Sequence, residues 1–183
     1  MAAPIGLGTY LLAPKIIQFV YGEGFFNAAS ALKILIWAEV LVFVNYLGGQ
    51  LLNVIDKQNA YTKIIGITAG VNILLNVILI PKHTYIGASV ATLLCEVLVF
   101  VLIYQTTRRF FIKVNLLPLL WRPIIGSIGM GIIILNIDFL PLWYLVPIGG
   151  ISYVLLFFLL GGFNAQDREI LSEMLIMVGL KKA

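Results

Sequence analysis

Apolar residues dominate the chain in long unbroken runs, and the polar residues gather in short clusters between them. Five runs are long enough to cross a lipid bilayer as helices: residues 29–55, 61–80, 86–104, 119–137 and 143–160. The first ends at the polar turn DKQN, the second at Pro81, the third before QTTRRFF, and the fifth at Gly161 and Gly162. A bilayer core about 30 Å thick takes about 20 apolar residues per helix, and only helices or closed barrels satisfy the backbone there. Continuous runs, rather than alternating stretches of about 10 residues, select helices over a barrel. A shorter apolar stretch, residues 1–13, precedes Pro14 and Lys15 and reads as the end of a helix whose beginning is missing. The expected architecture is therefore an all-α, polytopic transmembrane bundle of five full spans plus a partial first one. Residues 1–24 form the truncated span end and an outward interfacial segment, residues 25–162 the five-span bundle, and residues 163–183 a tail. The chain is expected to be the C-terminal piece of a larger protein.

Composition agrees with the pattern. Of 183 residues, 61% are hydrophobic and 11% charged, with a mean hydropathy of +1.05. Soluble domains are about half apolar and about a quarter charged, and one of this size could not hide so much apolar surface. Charge then orients the bundle. Lys57, Lys63, Arg108, Arg109, Lys113, Arg122, Arg168, Lys181 and Lys182 fall on one side; Lys15, Lys33 and Lys82 fall on the other. The richer side is expected to be cytoplasmic, with the C-terminus there and the VYGEGF and PKHTYIG loops outside. A net charge of +4 then calls for no nucleic acid, since basic loops beside anionic lipid account for it. The start lacks the basic region of a signal peptide. Cys95 is the single cysteine and excludes an intrachain disulfide.

Polar residues inside the spans are the candidates for chemistry. Glu39 lies in the run ILIWAEVLVFVNYLGG, and Tyr46, Gln50, Asn53 and Lys57 follow it at 7, 11, 14 and 18 positions. On a helical wheel these fall within about 40° of one line, a polar stripe running to the cytoplasmic end. A mid-helix carboxylate costs roughly 3 kcal/mol on insertion, about what six Leu or Ile residues offset. Such a stripe faces other helices or a water-filled cavity, as a packing seam or as a cavity wall. Glu96 lies near the middle of the third span, with Ser89 and Thr92 on its face toward the outer half. Two mid-membrane carboxylates on different helices point to a protonation or cation site, because isolated charge is expensive there; pairing with a neighbouring helix is the plainer reading. Asn72 and Asn76 are one turn apart in the second span and are as well suited to bridging helices as to lining a cavity.

Gly87 with Ala91, and Ala88 with Thr92, have small-xxx-small spacing, which lets helix backbones approach. Lys33 can snorkel to the outer surface or hold an anionic headgroup. Arg122, at the cytoplasmic entrance of the fourth span, has a planar fork suited to phosphate or simply anchors the topology. Phe110, Phe111 and Trp121 beside Arg108, Arg109 and Lys113 form a basic and aromatic interfacial segment. The tail carries Ile170, Leu171, Met174, Met177 and Val178 on one face, as an amphipathic helix with Asn164 in position to cap it. No catalytic motif, metal-ligand cluster or cofactor-binding signature occurs, and the only histidine, His83, falls in a loop. The expectation is of a protein that is not an enzyme and carries no cofactor or metal.

Three stretches carry a family resemblance: LLAPKIIQFVYGEGFFNAASALKIL, NVIDKQNAYTKIIGITAGVNILLNVILIPKHTYIGASVAT and YVLLFFLLGGFNAQDREIL. Their landmarks, in order, are an outward YG, the NxxxNxxLIP helix end, the small-residue run ending in AT, and a closing LGG before an acidic helix. Together they resemble the C-terminal part of polysaccharide-biosynthesis flippases of the multidrug/oligosaccharidyl-lipid/polysaccharide exporter superfamily, which includes the O-antigen and lipid II flippases. The resemblance implies the C-terminal lobe of a two-lobed transporter of the inner (cytoplasmic) membrane. Its substrate would be an undecaprenyl-pyrophosphate-linked glycan, moved by alternating access. The missing N-terminal lobe would come from the same chain or from a partner. On that reading Glu39 and Glu96 are candidates for ion coupling, and Tyr46, Gln50 and Asn53, with Asn72 and Asn76, for the cavity wall. Lys33 and Arg122 are candidates for an anionic headgroup. Two alternatives stay open: a drug/cation antiporter of the same superfamily, and a non-transporting membrane subunit of a glycan-assembly complex.

Overall fold

A computed structural model describes residues 2–109 and 117–162, with only the backbone for 117–120. It is built from helices throughout: α1 (Ala2–Tyr21), α2 (Ala28–Val54), α3 (Gln58–Arg109), α4 (Leu117–Asn136) and α5 (Leu142–Leu159), with a short 3-10 turn at Glu23–Phe25. Four of these, α1, α2, α3 and α5, are long and apolar enough to cross a membrane. The expected interfacial residues Phe110, Phe111 and Lys113, and the amphipathic tail from residue 163 with Asn164, lie outside the described residues.

The spans fall where the apolar runs place them, with two corrections. Residues 1–13 are not a short helix end closed by Pro14 and Lys15; α1 continues through both to Tyr21 and has the length of a span. Proline inside an apolar helix is tolerated when neighbouring helices compensate for the missing bond. Lys15 is tolerated because its ammonium reaches the loop between α4 and α5. There it pairs with the Asp138 carboxylate at 2.9 Å and also donates to the Asp138 and Leu140 carbonyls. Likewise Pro81 does not end the second span; the helix runs on to Thr84, whose backbone (φ 52, ψ −131) leaves the helical region. Thr84 splits α3 into two antiparallel arms, the second and third expected spans. Positive φ in a β-branched residue is strained, so the arms' packing must hold this turn in place.

That packing is close. Gly87, just past the turn, lies so near the Leu79 carbonyl that a Cβ there would overlap it. Farther along, Ile64 of the first arm packs with Val99 and Ile103 of the second and Leu52 of α2. At the other end of α2, the left-handed Asp56 (φ 55) lets the Lys57 N–H reach back to the Leu52 carbonyl at 2.8 Å, closing the turn into α3.

Helices α2 and α3 form one group, α4 and α5 another, and α1 packs against both. Leu12 of α1 joins Met130, Ile134, Leu145 and Tyr153 of α4 and α5 in one buried cluster. Ala13 and Ile17, on another face of α1, pack with Ala29 of α2. Much of the remaining apolar surface is exposed, including Leu74, Val77, Ile132, Val146, Leu155 and Leu159, as suits helices whose outer solvent is lipid.

The hairpin yields a direct test. Gly87→Leu should lower stability in detergent by about 1–3 kcal/mol, the usual cost of overpacking. Gly70→Ala, where a Cβ meets nothing within 4 Å, should leave it unchanged or raise it. Thermal unfolding of the two variants side by side checks this; equal melting temperatures would contradict the close approach.

Candidate functional site

Helix α2 presents two faces of different character. Ile36, Ala38, Asn45, Gly49 and Leu52 are buried. Glu39, Tyr46, Gln50 and Asn53 are exposed, with Phe43 among them, while Lys57, expected to continue the stripe, lies beyond the helix end at Val54 in the turn to α3. The predicted polar stripe thus exists as one face, and it points away from α1 and α3. None of the described helices fills it or covers it. Glu39 makes no hydrogen bond or ion pair with Glu96, so the two mid-membrane carboxylates do not share a site within the described residues.

Glu96 has a different partner, Asn45 of α2. The Asn45 amide nitrogen donates to the Glu96 carboxylate at 2.8 Å and to the Glu96 main-chain carbonyl at 3.0 Å. Asn45 is only 5% exposed, while Glu96 is half-buried. Asn45 is not among the candidates that the polar stripe picks out. The signal that could have found it is the spacing of Ala38, Asn45 and Leu52, seven apart and all buried on a different face from Glu39. The hydroxyls of Ser89 and Thr92, which share the face of Glu96, bond back to carbonyls of their own helix, Tyr85 at 2.9 Å and Ala88 at 3.0 Å.

Asn72 and Asn76 lie in the seam between the arms of α3. The Asn76 amide donates to the Asn72 side-chain oxygen at 2.8 Å, and the Asn72 amide reaches Cys95 Sγ at 3.5 Å. The buried Cys95 thiol in turn faces the Thr68 carbonyl at 3.9 Å. The Asn72–Cys95 contact bridges the two arms, while Asn76 bonds within its own helix, and no group from the α2 stripe joins them.

The two headgroup candidates sit at opposite ends of the bundle. Lys33 Nζ lies 5.4 Å from the centre of the Tyr10 ring, a cation–π distance that also ties α2 to α1. Arg122 lies over Trp121 and donates through Nη1 to the Gly161 carbonyl at 2.6 Å, fastening the start of α4 to the end of α5. Arg122 Nε is buried without a partner. An apolar groove of about 350 Å³ between α1, α4 and α5, lined by Pro4, Gly8, Leu12, Ile134, Gly149 and Tyr153 among others, opens on the other side of the bundle. Among the described residues no three His, Cys, Asp or Glu side chains gather as a metal site.

The two faces of α2 predict opposite responses to the same change of polarity. Asn45→Leu should destabilise the folded protein by about 1 kcal/mol, the usual worth of an interhelical hydrogen bond in lipid. Glu39→Leu should not destabilise it, because no hydrogen bond or ion pair among the described residues depends on Glu39. Thermal unfolding in lipid-like detergent separates the two. Equal losses would mean that Glu39 has a structural partner.

No protein-family model matches the chain, and no solved structure matches it. Over 92 residues the chain is 32% identical to an uncharacterized membrane protein of Methanocaldococcus jannaschii. The match covers 50% of this chain and 18% of that protein, so the chain spans less than a fifth of the curated relative's length. With its apolar helices of membrane-crossing length, the chain is a multi-pass, all-helical membrane protein.

Proposed function

We propose that this chain is the C-terminal lobe of a flippase that moves lipid-linked oligosaccharide across the cytoplasmic membrane. The observation that carries the proposal is the outward polar stripe of α2. Glu39, Tyr46, Gln50 and Asn53 occupy a face that lipid would penalise and that no described helix covers. A second lobe across a water-filled cavity removes that penalty. The extent of the relative, most of which lies outside the match, leaves room for such a lobe. The order of sequence landmarks points to the same class of transporter.

In this reading Tyr46, Gln50 and Asn53 line the cavity and offer hydroxyl and amide groups to sugar hydroxyls. Glu39, in the same wall, and Glu96, at the α2–α3 contact, couple transport to an ion. Lys33 on the outer side and Arg122 on the cytoplasmic side stand where a pyrophosphate headgroup enters and leaves. Asn72 and Asn76 hold the α3 hairpin rigid. The C-terminus faces the cytoplasm. Alternating access then consists of this bundle rocking as a body against the other lobe.

The test is flipping of a fluorescent undecaprenyl-pyrophosphate-linked oligosaccharide by the native protein in proteoliposomes. Gln50→Leu with Asn53→Leu should cut the rate at least tenfold, roughly the effect of losing 1.4 kcal/mol of substrate interaction. Glu39→Gln should reduce it while leaving membrane insertion intact. Wild-type flipping in all these variants would remove the stripe from the transport path. Transport of hydrophobic cations without glycan flipping would assign the protein to drug/cation antiport instead.

A further inference from the structure

We propose that Asn45 and Glu96 form a proton-binding latch that joins α2 to the second arm of α3. The geometry of the pair carries the inference. A primary amide presents an N–H donor and a C=O acceptor side by side, and a protonated carboxyl presents a C=O acceptor and an O–H donor in the same way. Set edge to edge, the two make a matched pair of hydrogen bonds. The Asn45 amide nitrogen already donates to Glu96 Oε2 at 2.8 Å. Beside it, Asn45 Oδ1 is buried and has no donor. An ionised Glu96 has no donor to give it, and a buried acceptor left without a donor costs free energy in a low-dielectric seam. One proton on the other Glu96 oxygen supplies the missing bond.

The surroundings suit a site that both holds and exchanges a proton. Asn45 is closed off, whereas Glu96 is half-buried and keeps an edge at the surface of the described helices. From α2 the group that faces Glu96 is Asn45 itself. From the first arm of α3, Asn72 and Thr68 face the adjoining Cys95 thiol. Tyr61 lies against Gly49, one turn beyond Asn45, and Lys63 adjoins Ile64, which packs with Val99 and Ile103 farther along the second arm. Glu39 occupies a different face of α2. No salt bridge to Glu96 occurs among the described residues.

Protonated, the latch clamps α2 to the α3 hairpin; deprotonated, it leaves an orphan acceptor and loosens the contact. The sign follows from linkage: the clamped state binds one more proton than the open state, so the clamp is fully formed at low pH and is lost as pH rises. The latch deepens the coupling role proposed for Glu96, but it can be read out without any substrate.

Infrared spectroscopy of the native protein in bilayers provides that readout. A carbonyl stretch of a hydrogen-bonded neutral carboxylic acid should appear at low pH, fade as pH rises, and be lost in Glu96→Gln. In Asn45→Leu, or in Asn45→Ser if the leucine variant does not assemble, the band should move to higher frequency. Glutamine can complete the same two bonds as an amide pair. The melting temperature of Glu96→Gln should therefore lose the pH dependence that Glu96 confers on the wild type. A band independent of Glu96, a band unmoved by either Asn45 variant, or an ionised carboxylate at every pH would overturn the latch. An ionised carboxylate is what a water satisfying Asn45 would produce. A protein that shows the band but flips no glycan keeps the latch and loses the flippase assignment; the converse result does the opposite.

Discussion

Helix α1 is the element on which the arrangement of the other helices depends. In lipid there is no hydrophobic drive between helices, so they stay together through close packing and a few polar contacts. Packing of α2 and α3 against each other, and of α4 against α5, leaves two separate groups. The bridge between them is α1, which buries Leu12 against α4 and α5 and Ala13 and Ile17 against α2. Gly6 shows how close that approach is: a Cβ there would lie 2.5 Å from Val40 Cγ2. At one end of the bundle, the Lys15–Asp138 pair and the edge-on contact between Phe19 and Trp143, with ring centres 4.6 Å apart, fix α1 to the α4–α5 side.

Against this frame, the polar residues of the membrane interior divide by helix face. Those facing inward are matched locally: Asn45 with Glu96, Asn76 with Asn72, Asn72 with Cys95. Those facing outward on α2 have no hydrogen-bond partner among the described residues. The division has functional content, because a matched polar group stabilises a particular helix contact, while an unmatched one in a membrane requires water or another protein surface. In the proposed transporter, a cavity wall and a hydrogen-bonded support behind it would be built from different faces of one helix. The Asn45–Glu96 pair lies on the face that meets α3, where the proposed latch would act.

The apolar runs by themselves determined that the chain is helical, where α2, the two α3 arms, α4 and α5 lie, and which side of each turn carries the basic residues. These features follow from local composition, because a backbone in lipid must satisfy its hydrogen bonds within each helix. The periodicity of Glu39, Tyr46, Gln50 and Asn53 likewise made the α2 stripe legible, since helical spacing alone sets which residues share a face. Proline was the misleading signal. Pro14 and Pro81 read as helix ends, yet both lie inside helices, because lipid-embedded helices with neighbours tolerate a missing backbone bond. Only the tertiary structure decided that α1 is the bridge, that the stripe faces away from the bundle, and that Glu96 meets Asn45 rather than Glu39. Those are facts about which helix lies beside which, and in a chain so uniformly apolar that choice rests on the fit of small residues and single polar side chains, which no one-dimensional pattern ranks.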